Sequence, residues 1–290
     1  MIPFLVKLPI TPDKHKFNIL KIHRLGSRLT VLLLACFLGM QNPAPAKSQP
    51  ASQLLPFFDN INNPVPVGFP IGQKLDITPA PPVLNSFDLA VLNICGSIGT
   101  RVTPNQFQQL LSSYPDVLQK LQTVTGGELR PGRRNKSEFL ADLTDIWFKN
   151  RGFEHIFCGE LKSANDIGGL HFYGRYLQLQ NQGIGGRLPN NHRREQVVPG
   201  VIYTMGVVIQ QGNLTFRDVI KGYSYVSNAQ ELLIDATQIF KLQGNSEGAC
   251  IFYVRDQDTG TTFPKVFVRR QKAIVTFYPD ATPQGANCQR

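Results

Sequence analysis

The spacing of apolar residues changes from helical to extended near residue 150. Over residues 137–149, apolar side chains recur at the three- and four-residue spacing of a helix with one buried face. Upstream, Thr103–Gln106 supplies an N-cap, a first-turn proline and the glutamine of a capping box, which predicts a helix to Leu111. Short β-branched and aromatic runs predict strands at 153–161, 201–209, 250–254, 266–268 and 273–278. Between them, residues 228–241 are predicted to form a helix opened by a capping box at Ser227. Helices followed by antiparallel strands predict an α+β fold, as one domain or as two small lobes around a cleft.

The first 46 residues have the organisation of an export signal. Basic residues precede the apolar run Leu29–Met40, which is too short to span a membrane, and Ala44-x-Ala46 follows it. We therefore expect cleavage after Ala46 and a secreted or periplasmic protein without an integral membrane domain. The alternatives are cleavage before Cys36, which would give a lipoprotein, and an uncleaved anchor.

The formal charge of the 290-residue chain is +10, from 30 basic and 20 acidic residues. Removal of residues 1–46 takes away six basic residues and one acidic residue and leaves +5, which permits a polyanionic partner. A hydrophobic content of 42% excludes a disordered acidic protein, and a single long apolar run excludes a polytopic membrane protein. The proline-rich residues 47–86 predict an extended tether, so the folded domain is expected over residues 87–290.

Four cysteines lie beyond the predicted signal: Cys95, Cys158, Cys250 and Cys288. An even number in an exported chain is consistent with one or two disulfides of unassigned pairing. Because none of the cysteines forms a CxxC pair, a zinc site is not predicted.

Two of the three histidines outside the signal, His155 and His171, lie within residues 152–180, whereas His192 lies in a polar, basic run. Cleavage of RNA by its own 2′-hydroxyl needs a base, an acid and positive charge beside the phosphorane. Two imidazoles can supply the acid and the base near neutral pH. We expect His171 to be the base, because it follows Gly168-Gly169 at the start of a predicted helix, where imidazolium is disfavoured. His155, on a predicted strand, would be the acid. The alternative for a strand histidine is a hydrogen-bonded structural residue.

The segment GFEHIFCGE, with His171 eleven residues after Glu160, resembles the signature of the EndoU endoribonucleases. Eukaryotic members carry a sequence similar to GFEHVFVGE, and coronaviral members share the FEHI and GGLH segments. The resemblance covers about residues 137–280. It implies an endoribonuclease that cleaves single-stranded RNA through 2′-hydroxyl attack, leaving 2′,3′-cyclic phosphate ends and sparing DNA.

The same resemblance implies further site residues. A lysine followed by a serine-started helix matches Lys221 and Ser227, and the serine would read uracil, although Ser224 competes for that role. The segment TFYP matches the coronaviral C-terminal pattern and assigns Tyr278 to stacking against the nucleotide 5′ to the cut, with Thr276 beside it. Alternatively, Lys221 is a solvated strand lysine, Ser227 caps its helix, and Tyr278 belongs to the core.

Glu154 and Glu160 match acidic positions of the eukaryotic signature, whose members are often stimulated by Mn²⁺. We expect both to support neighbouring side chains. The chemistry needs no metal, and no metal site is predicted.

Three basic clusters, at residues 130–136, 192–194 and 269–272, are either solvated surface or contacts to the RNA backbone. The alternative functions are an RNA-binding or surface-interaction module without turnover, an antibacterial toxin with the same chemistry, and a hydrolase using Cys158 as nucleophile.

Overall fold

A computed structural model describes residues 54–289. The predicted signal peptide and the lipoprotein alternative at Cys36 lie outside these residues. The helices are α1 (Ser86–Cys95), α2 (Pro104–Ser113), α3 (Pro115–Val124), α4 (Lys136–Phe148), α5 (Tyr173–Asn181) and α6 (Ala229–Leu242). The strands are β1 (Val65–Pro66), β2 (Lys74–Leu75), β3 (Glu160–Ser163), β4 (Asp166–Gly168), β5 (Gly185–Arg187), β6 (Gln196–Val198), β7 (Ile202–Gln211), β8 (Leu214–Ser224), β9 (Gly248–Arg255), β10 (Thr262–Arg270) and β11 (Ala273–Pro279).

Antiparallel pairing organises the strands into two main sheets and two small hairpins. In the first sheet, β8 runs along the length of β7, while β5 and β6 pair with opposite ends of β7. The second sheet has the order β11-β10-β9. The hairpins are β1-β2 and β3-β4. The α+β class predicted from the sequence is confirmed, and among residues 54–289 no helix is long and apolar enough to span a bilayer.

The helical half and the second sheet share one core of buried aromatic residues. Trp147 of α4 and Phe153 are fully buried, with ring centroids 6.3 Å apart. The indole of Trp147 donates a 3.0 Å hydrogen bond to Thr237 of α6, so its polar atom is satisfied inside the core. The apolar face predicted for α4 is therefore the face that packs inward.

Local signals located several helices correctly. The capping box of α2 is formed by Thr103 and Gln106, as predicted. The helix predicted over residues 228–241 is α6, but its capping box consists of Asn228 and Glu231, not Ser227. Asn228 takes the cap because its side-chain oxygen accepts from the backbone N–H of Glu231.

The strand predicted at residues 153–161 is wrong over most of its length. Glu154–Cys158 forms a π-helical turn, and strand β3 begins only at Glu160. The apolar run reflects burial of Ile156 and Phe157 inside the turn, and a short buried turn has the same composition as a buried strand.

Residues 54–86 differ from the predicted tether, because they pack against the rest of the domain. Phe57 and Phe58 are buried. The amide of Gln180 on α5 accepts from their two backbone N–H groups at 2.6 and 2.9 Å and donates to the carbonyl of Phe58. Leu55 forms a bridge to Arg187 of β5. Proline limits backbone ladders but does not prevent the aromatic side chains between prolines from entering a core.

Two disulfides join distant parts of the domain. Cys95 at the end of α1 is bonded to Cys158 at the end of the π-helical turn, and Cys250 of β9 is bonded to Cys288. Cys95 and Cys158 are both buried. Because the Cys158 sulfur is committed to a disulfide, the alternative of a Cys158 nucleophile is wrong.

Candidate active site

An open cleft of about 400 Å³ lies between the β3-β4 hairpin, strand β8 of the first sheet and the C-terminal end of β11. It contains five of the residues selected from the sequence. These are His155, His171, Lys221, Thr276 and Tyr278. Further polar side chains from the two sheets and the hairpin complete the lining: Lys162, Asp166, Gln196, Thr204, Asp280 and Thr282.

Backbone hydrogen bonds hold the two histidine segments side by side. The N–H of Leu170 donates to the carbonyl of His155, and the N–H of His171 donates to the carbonyl of Ile156, both at 2.8 Å. Gly169 has φ +64°, and a Cβ there would lie 1.7 Å from the His155 carbonyl oxygen. Glycine is therefore required for this approach. The imidazole centroids are 5.7 Å apart.

His155 lies in the π-helical turn and not on the predicted strand. Its Nδ1 lies 3.1 Å from Oε2 of Glu160, so Nε2 is not engaged by this contact. The hydrogen bond to His155, together with nearby Arg151, holds the pKa of the Glu160 carboxyl below its ordinary value. The carboxylate behind the imidazole fixes the orientation of the His155 ring in the cleft.

His171 precedes α5, which begins at Tyr173, so it is not the first residue of a helix as expected. Its Nδ1 lies 3.0 Å from the carbonyl oxygen of Gly222, which fixes the proton on Nδ1 and leaves Nε2 as the acceptor. Burial, with the neighbouring charges of His155 and Lys221, lowers the pKa of His171 from 6.5 to about 3. The imidazole is therefore neutral near pH 7. The main cause is desolvation and not the helix terminus invoked from the sequence.

Lys221 lies on β8, next to Gly222, and its side chain is 15% exposed. Its Nζ is 2.8 Å from Oδ2 of Asp218, which also accepts from the backbone N–H of Ile167. This ion pair orients the ammonium at the cleft wall.

Tyr278 forms the wall beside His171. The two rings are stacked with centroids 5.2 Å apart and planes 27° apart. Burial and the adjacent Asp280 raise the pKa of the Tyr278 phenol, so it stays neutral. Thr276, two residues earlier on β11, also lines the cleft, and its hydroxyl oxygen is buried without a hydrogen-bond partner among the described residues.

Ser224 and Ser227 do not line the cleft, in contrast to the expected role in base recognition. Both are buried, and their hydroxyl oxygens are 3.0 Å apart. Ser227 also accepts from Nζ of Lys265, a fully buried ammonium 3.7 Å from Asp235. Burial lowers the pKa of Lys265 and raises that of Asp235. The serines thus satisfy a buried polar cluster, and their spacing from Lys221 could not show this.

Glu154 and Glu160 both contact the segment around His155. Glu154 is buried, accepts from the backbone N–H of Val102 at 2.9 Å and pairs with Arg151 at 2.6 Å. The same Arg151 contacts Glu160 at 2.9 Å. No group of three or more His, Cys, Asp or Glu side chains within residues 54–289 is arranged to hold a metal ion.

The basic clusters are partly neutralised away from the cleft. Arg130 and Arg133 both pair with Asp142, and Arg269 is buried over the ring of Phe240. His192, which the sequence placed at the surface, lies 3.0 Å from Glu195 and does not line the cleft.

Sequence reasoning missed six polar residues of the cleft: Lys162, Asp166, Gln196, Thr204, Asp280 and Thr282. Thr204 lies on the central strand β7, and the others come from the β3-β4 hairpin, the edge strand β6 or the segment after β11. None of them stands in a local motif. For Lys162 the sequence offered one indication. It stands two residues after Glu160 in β3, and alternation along a strand places the two side chains on the same face.

Comparison with known proteins identifies the segment that contains this site. A family model described as bacterial EndoU nuclease matches residues 149–281. The resemblance to the EndoU nucleases is confirmed. The matched EndoU segment contains all five of the cleft residues selected from the sequence.

Two solved structures resemble the chain more distantly. XendoU, described as a splicing-independent snoRNA-processing endoribonuclease, is 17% identical over 68% of this chain and 78% of its own, with a TM-score of 0.47. The endoribonuclease Nsp15 of Middle East Respiratory Syndrome Coronavirus is 18% identical over 48% of this chain and 37% of its own, with a TM-score of 0.33. No curated protein matches the chain.

Proposed function

We propose that this protein is an exported endoribonuclease that cleaves single-stranded RNA by attack of the 2′-hydroxyl on the adjacent phosphate. The observation that carries the proposal is the cleft itself. It holds two imidazoles whose Nδ1 atoms are engaged by protein groups and whose Nε2 atoms are left for substrate, with an ammonium on the same wall.

In the proposed reaction, Nε2 of neutral His171 takes the proton of the 2′-hydroxyl as O2′ forms its bond to phosphorus. The bond from phosphorus to the departing O5′ breaks, and His155 gives its proton to that oxygen. The products are a 2′,3′-cyclic phosphate and a 5′-hydroxyl. Lys221 stabilises the negative charge that develops on the non-bridging oxygens. DNA lacks the 2′-hydroxyl and is therefore not a substrate.

Tyr278 is the proposed stacking surface for the base on the 5′ side of the cut. Its ring stacks on His171, the proposed base, which places an aromatic face beside the ribose that supplies the nucleophile. The proposed preference for uridine rests on the family resemblance alone, because Ser224 and Ser227 are outside the cleft.

The proposed chemistry requires no metal ion, because both proton transfers and the charge stabilisation are assigned to side chains. Stimulation by Mn²⁺ is a separate proposal that the family resemblance suggests. Assays with and without Mn²⁺ therefore form part of the test.

The test is cleavage of a mixed-sequence RNA and of the matched strand with 2′-deoxyuridines, followed by mapping of the ends. We expect cyclic phosphate ends on the RNA and protection at each 2′-deoxyuridine. Equal cutting of both strands would reject 2′-hydroxyl attack. Tight RNA binding without any product would instead identify an RNA-binding module without turnover.

Substitution of each histidine tests its role. His171→Asn and His155→Asn each retain a side-chain nitrogen for the structural contact but remove the proton-transfer group. We expect each to lower kcat by about 10²- to 10⁴-fold. Full activity in either variant would remove the role assigned to that histidine.

A further inference from the structure

Lys162 is a second cleft lysine for which the two-histidine mechanism has no use. It lies on β3 and lines the cleft, and its side chain is 48% exposed. Lys221, by comparison, is 15% exposed and lies 2.8 Å from its carboxylate partner. Of these two ammonium groups, that of Lys162 is the more accessible to a ligand in solution.

The β3-β4 hairpin is shaped to let Lys162 reach the cleft. Gly168 pairs with Glu160 across the hairpin. A Cβ on Gly168 would lie 2.5 Å from Cε of Lys162 and 2.6 Å from Oε2 of Glu160. The glycine in β4 therefore leaves the space that the end of the lysine chain occupies beside Glu160.

The local charges leave Lys162 available to an anion. Glu160 is contacted by Arg151 at 2.9 Å and by His155 at 3.1 Å, whereas Nζ of Lys162 is 3.9 Å away. Asp166, at the other side of the hairpin, also lines the cleft, but no ion pair within 4.0 Å joins it to Lys162 in the described part of the chain.

The position of Lys162 fixes which part of an RNA strand it can meet. Nζ of Lys162 and Nδ1 of His155 both lie within 4 Å of the same oxygen of Glu160. His155 is the proposed acid, so the nucleotide that departs lies on its side of the cleft. Tyr278 lies against the other histidine, on the side of the upstream nucleotide.

Resting on the proposed function, we propose that Lys162 binds the phosphate on the 3′ side of the departing nucleotide. The ligand is thus the phosphodiester one position downstream of the scissile bond. The ammonium acts as a point charge that draws the leaving strand across the β3-β4 hairpin. Lys162 is a substrate-binding residue in this assignment and takes no part in proton transfer.

The test uses two substrates that differ by one phosphate: rUpdA, and rUpdAp with a 3′-terminal phosphate. Each contains one 2′-hydroxyl adjacent to a phosphate, so cleavage occurs at one linkage. We expect the added phosphate to raise kcat/KM of the wild-type protein by about three- to tenfold, the range of a single charge-assisted contact at a partly exposed site. In Lys162→Gln this advantage is lost, so that rUpdAp and rUpdA are cleaved with the same kcat/KM.

Three comparisons separate a phosphate contact from a general loss of charge or structure. Lys162→Arg should keep the advantage of rUpdAp, because it keeps the positive charge. Lys120→Gln, at an exposed position on α3, makes the same charge change outside the cleft and should behave like wild type. On longer RNA, Lys162→Gln should reduce the slope of log KM against log[salt] by about 0.7, the value expected for one lost phosphate contact to a single strand.

The proposal is overturned if wild type cleaves rUpdA and rUpdAp equally. It is also overturned if Lys162→Gln slows both substrates by the same factor, since Lys162 would then act through Glu160 and His155. Absence of any cleavage would reject the proposed function separately. Binding of the uncleavable dUpdA and dUpdAp then decides the site, because the assignment requires the added phosphate to tighten binding in wild type and not in Lys162→Gln.

Discussion

The protonation of His171 is set by its buried position beside Gly222. An exposed histidine titrates near pH 6.5, whereas burial holds the pKa of His171 at about 3 in the folded protein. The same burial that keeps the imidazole neutral for catalysis makes it a cost to stability in acid. Between these two values the unfolded chain binds a proton that the folded protein does not.

Stability should therefore fall as the pH is lowered from about 6.5 towards 3. For His171 alone, the loss between pH 7 and pH 5 is expected to be about 2 kcal/mol. Urea unfolding of wild type and His171→Asn at both pH values measures it, because the variant lacks this titration. An identical pH dependence in the two proteins would show that the pKa of His171 is not lowered.

Thr276 lines the cleft and carries a hydroxyl that no other described residue uses. Its oxygen is buried without a hydrogen-bond partner among the described residues, so replacement by valine removes no internal hydrogen bond. We expect Thr276→Val to change the free energy of unfolding by less than about 0.5 kcal/mol. We expect kcat/KM to fall by about three- to tenfold, because valine removes the hydroxyl that the proposed binding mode places beside the bound strand. A large loss in the free energy of unfolding with unchanged kcat/KM would show that the hydroxyl serves the fold and not the substrate.

At the scale of elements, the π-helical turn Glu154–Cys158 is held at both ends. Arg151 pairs with Glu154 at its start, and Cys158 at its end is bonded to Cys95 of α1. His155 lies between these attachments. The position of His155, the proposed acid, thus depends on α1 through a covalent bond between residues 63 apart in the chain.

Removing each disulfide separately should distinguish an effect on the free energy of unfolding from an effect on kcat/KM. The chain-entropy account gives about 4 kcal/mol of stability for each loop. Cys95→Ala/Cys158→Ala should lower kcat/KM as well, because it frees the His155 turn. Cys250→Ala/Cys288→Ala is the matched control, because it removes the disulfide that joins β9 to the C-terminal segment. Activities are compared at a temperature at which circular dichroism shows both variants folded, and equal kcat/KM would refute the positional argument.

The N-terminal segment contacts α5 through the amide of Gln180 and through the ring of Phe57, which lies 5.0 Å from that of Tyr176. Gln180→Ala removes three hydrogen bonds to Phe57 and Phe58 and strands their buried backbone groups. We expect a loss of about 2–4 kcal/mol in urea unfolding, with new protease cleavage within residues 54–86. Gln182→Ala, at an exposed position of the same helix end, should change neither. Unchanged protease resistance in Gln180→Ala would show that other contacts hold the segment.

At the scale of the whole molecule, export and charge are linked. The predicted signal carries half of the formal +10, so an exported protein reaches RNA with +5. Specific cations in the cleft, and not the total charge, must then orient the strand.

The exported protein should begin at Lys47. Intact-mass spectrometry of protein recovered outside the cytoplasm measures this, because cleavage after Ala46 removes a defined mass. A chain beginning at a lipidated Cys36 would establish the lipoprotein alternative, and an intact Met1 would reject both cleavage sites.

Local sequence determined the α+β class, the α2 capping box and the two histidines of the cleft, whereas the resemblance to the EndoU endoribonucleases selected Lys221, Thr276 and Tyr278. These features are readable because caps, helical spacing and the GFEHIFCGE and GGLH segments act over short distances along the chain. The glycine before Leu170 is part of the same local information, since the close approach to His155 excludes every larger residue.

Only the tertiary structure decided which polar residues face the substrate. Ser224 and Ser227 match a functional pattern but lie in a buried cluster, in which Ser227 accepts from Lys265 and Ser224 contacts Ser227. Lys162 matches no pattern and lines the cleft. The proline-rich segment, similarly, becomes part of the core because α5 offers Gln180 to its backbone. Burial and hydrogen-bond partners are properties of contacts between distant segments, so no single stretch of sequence can specify them.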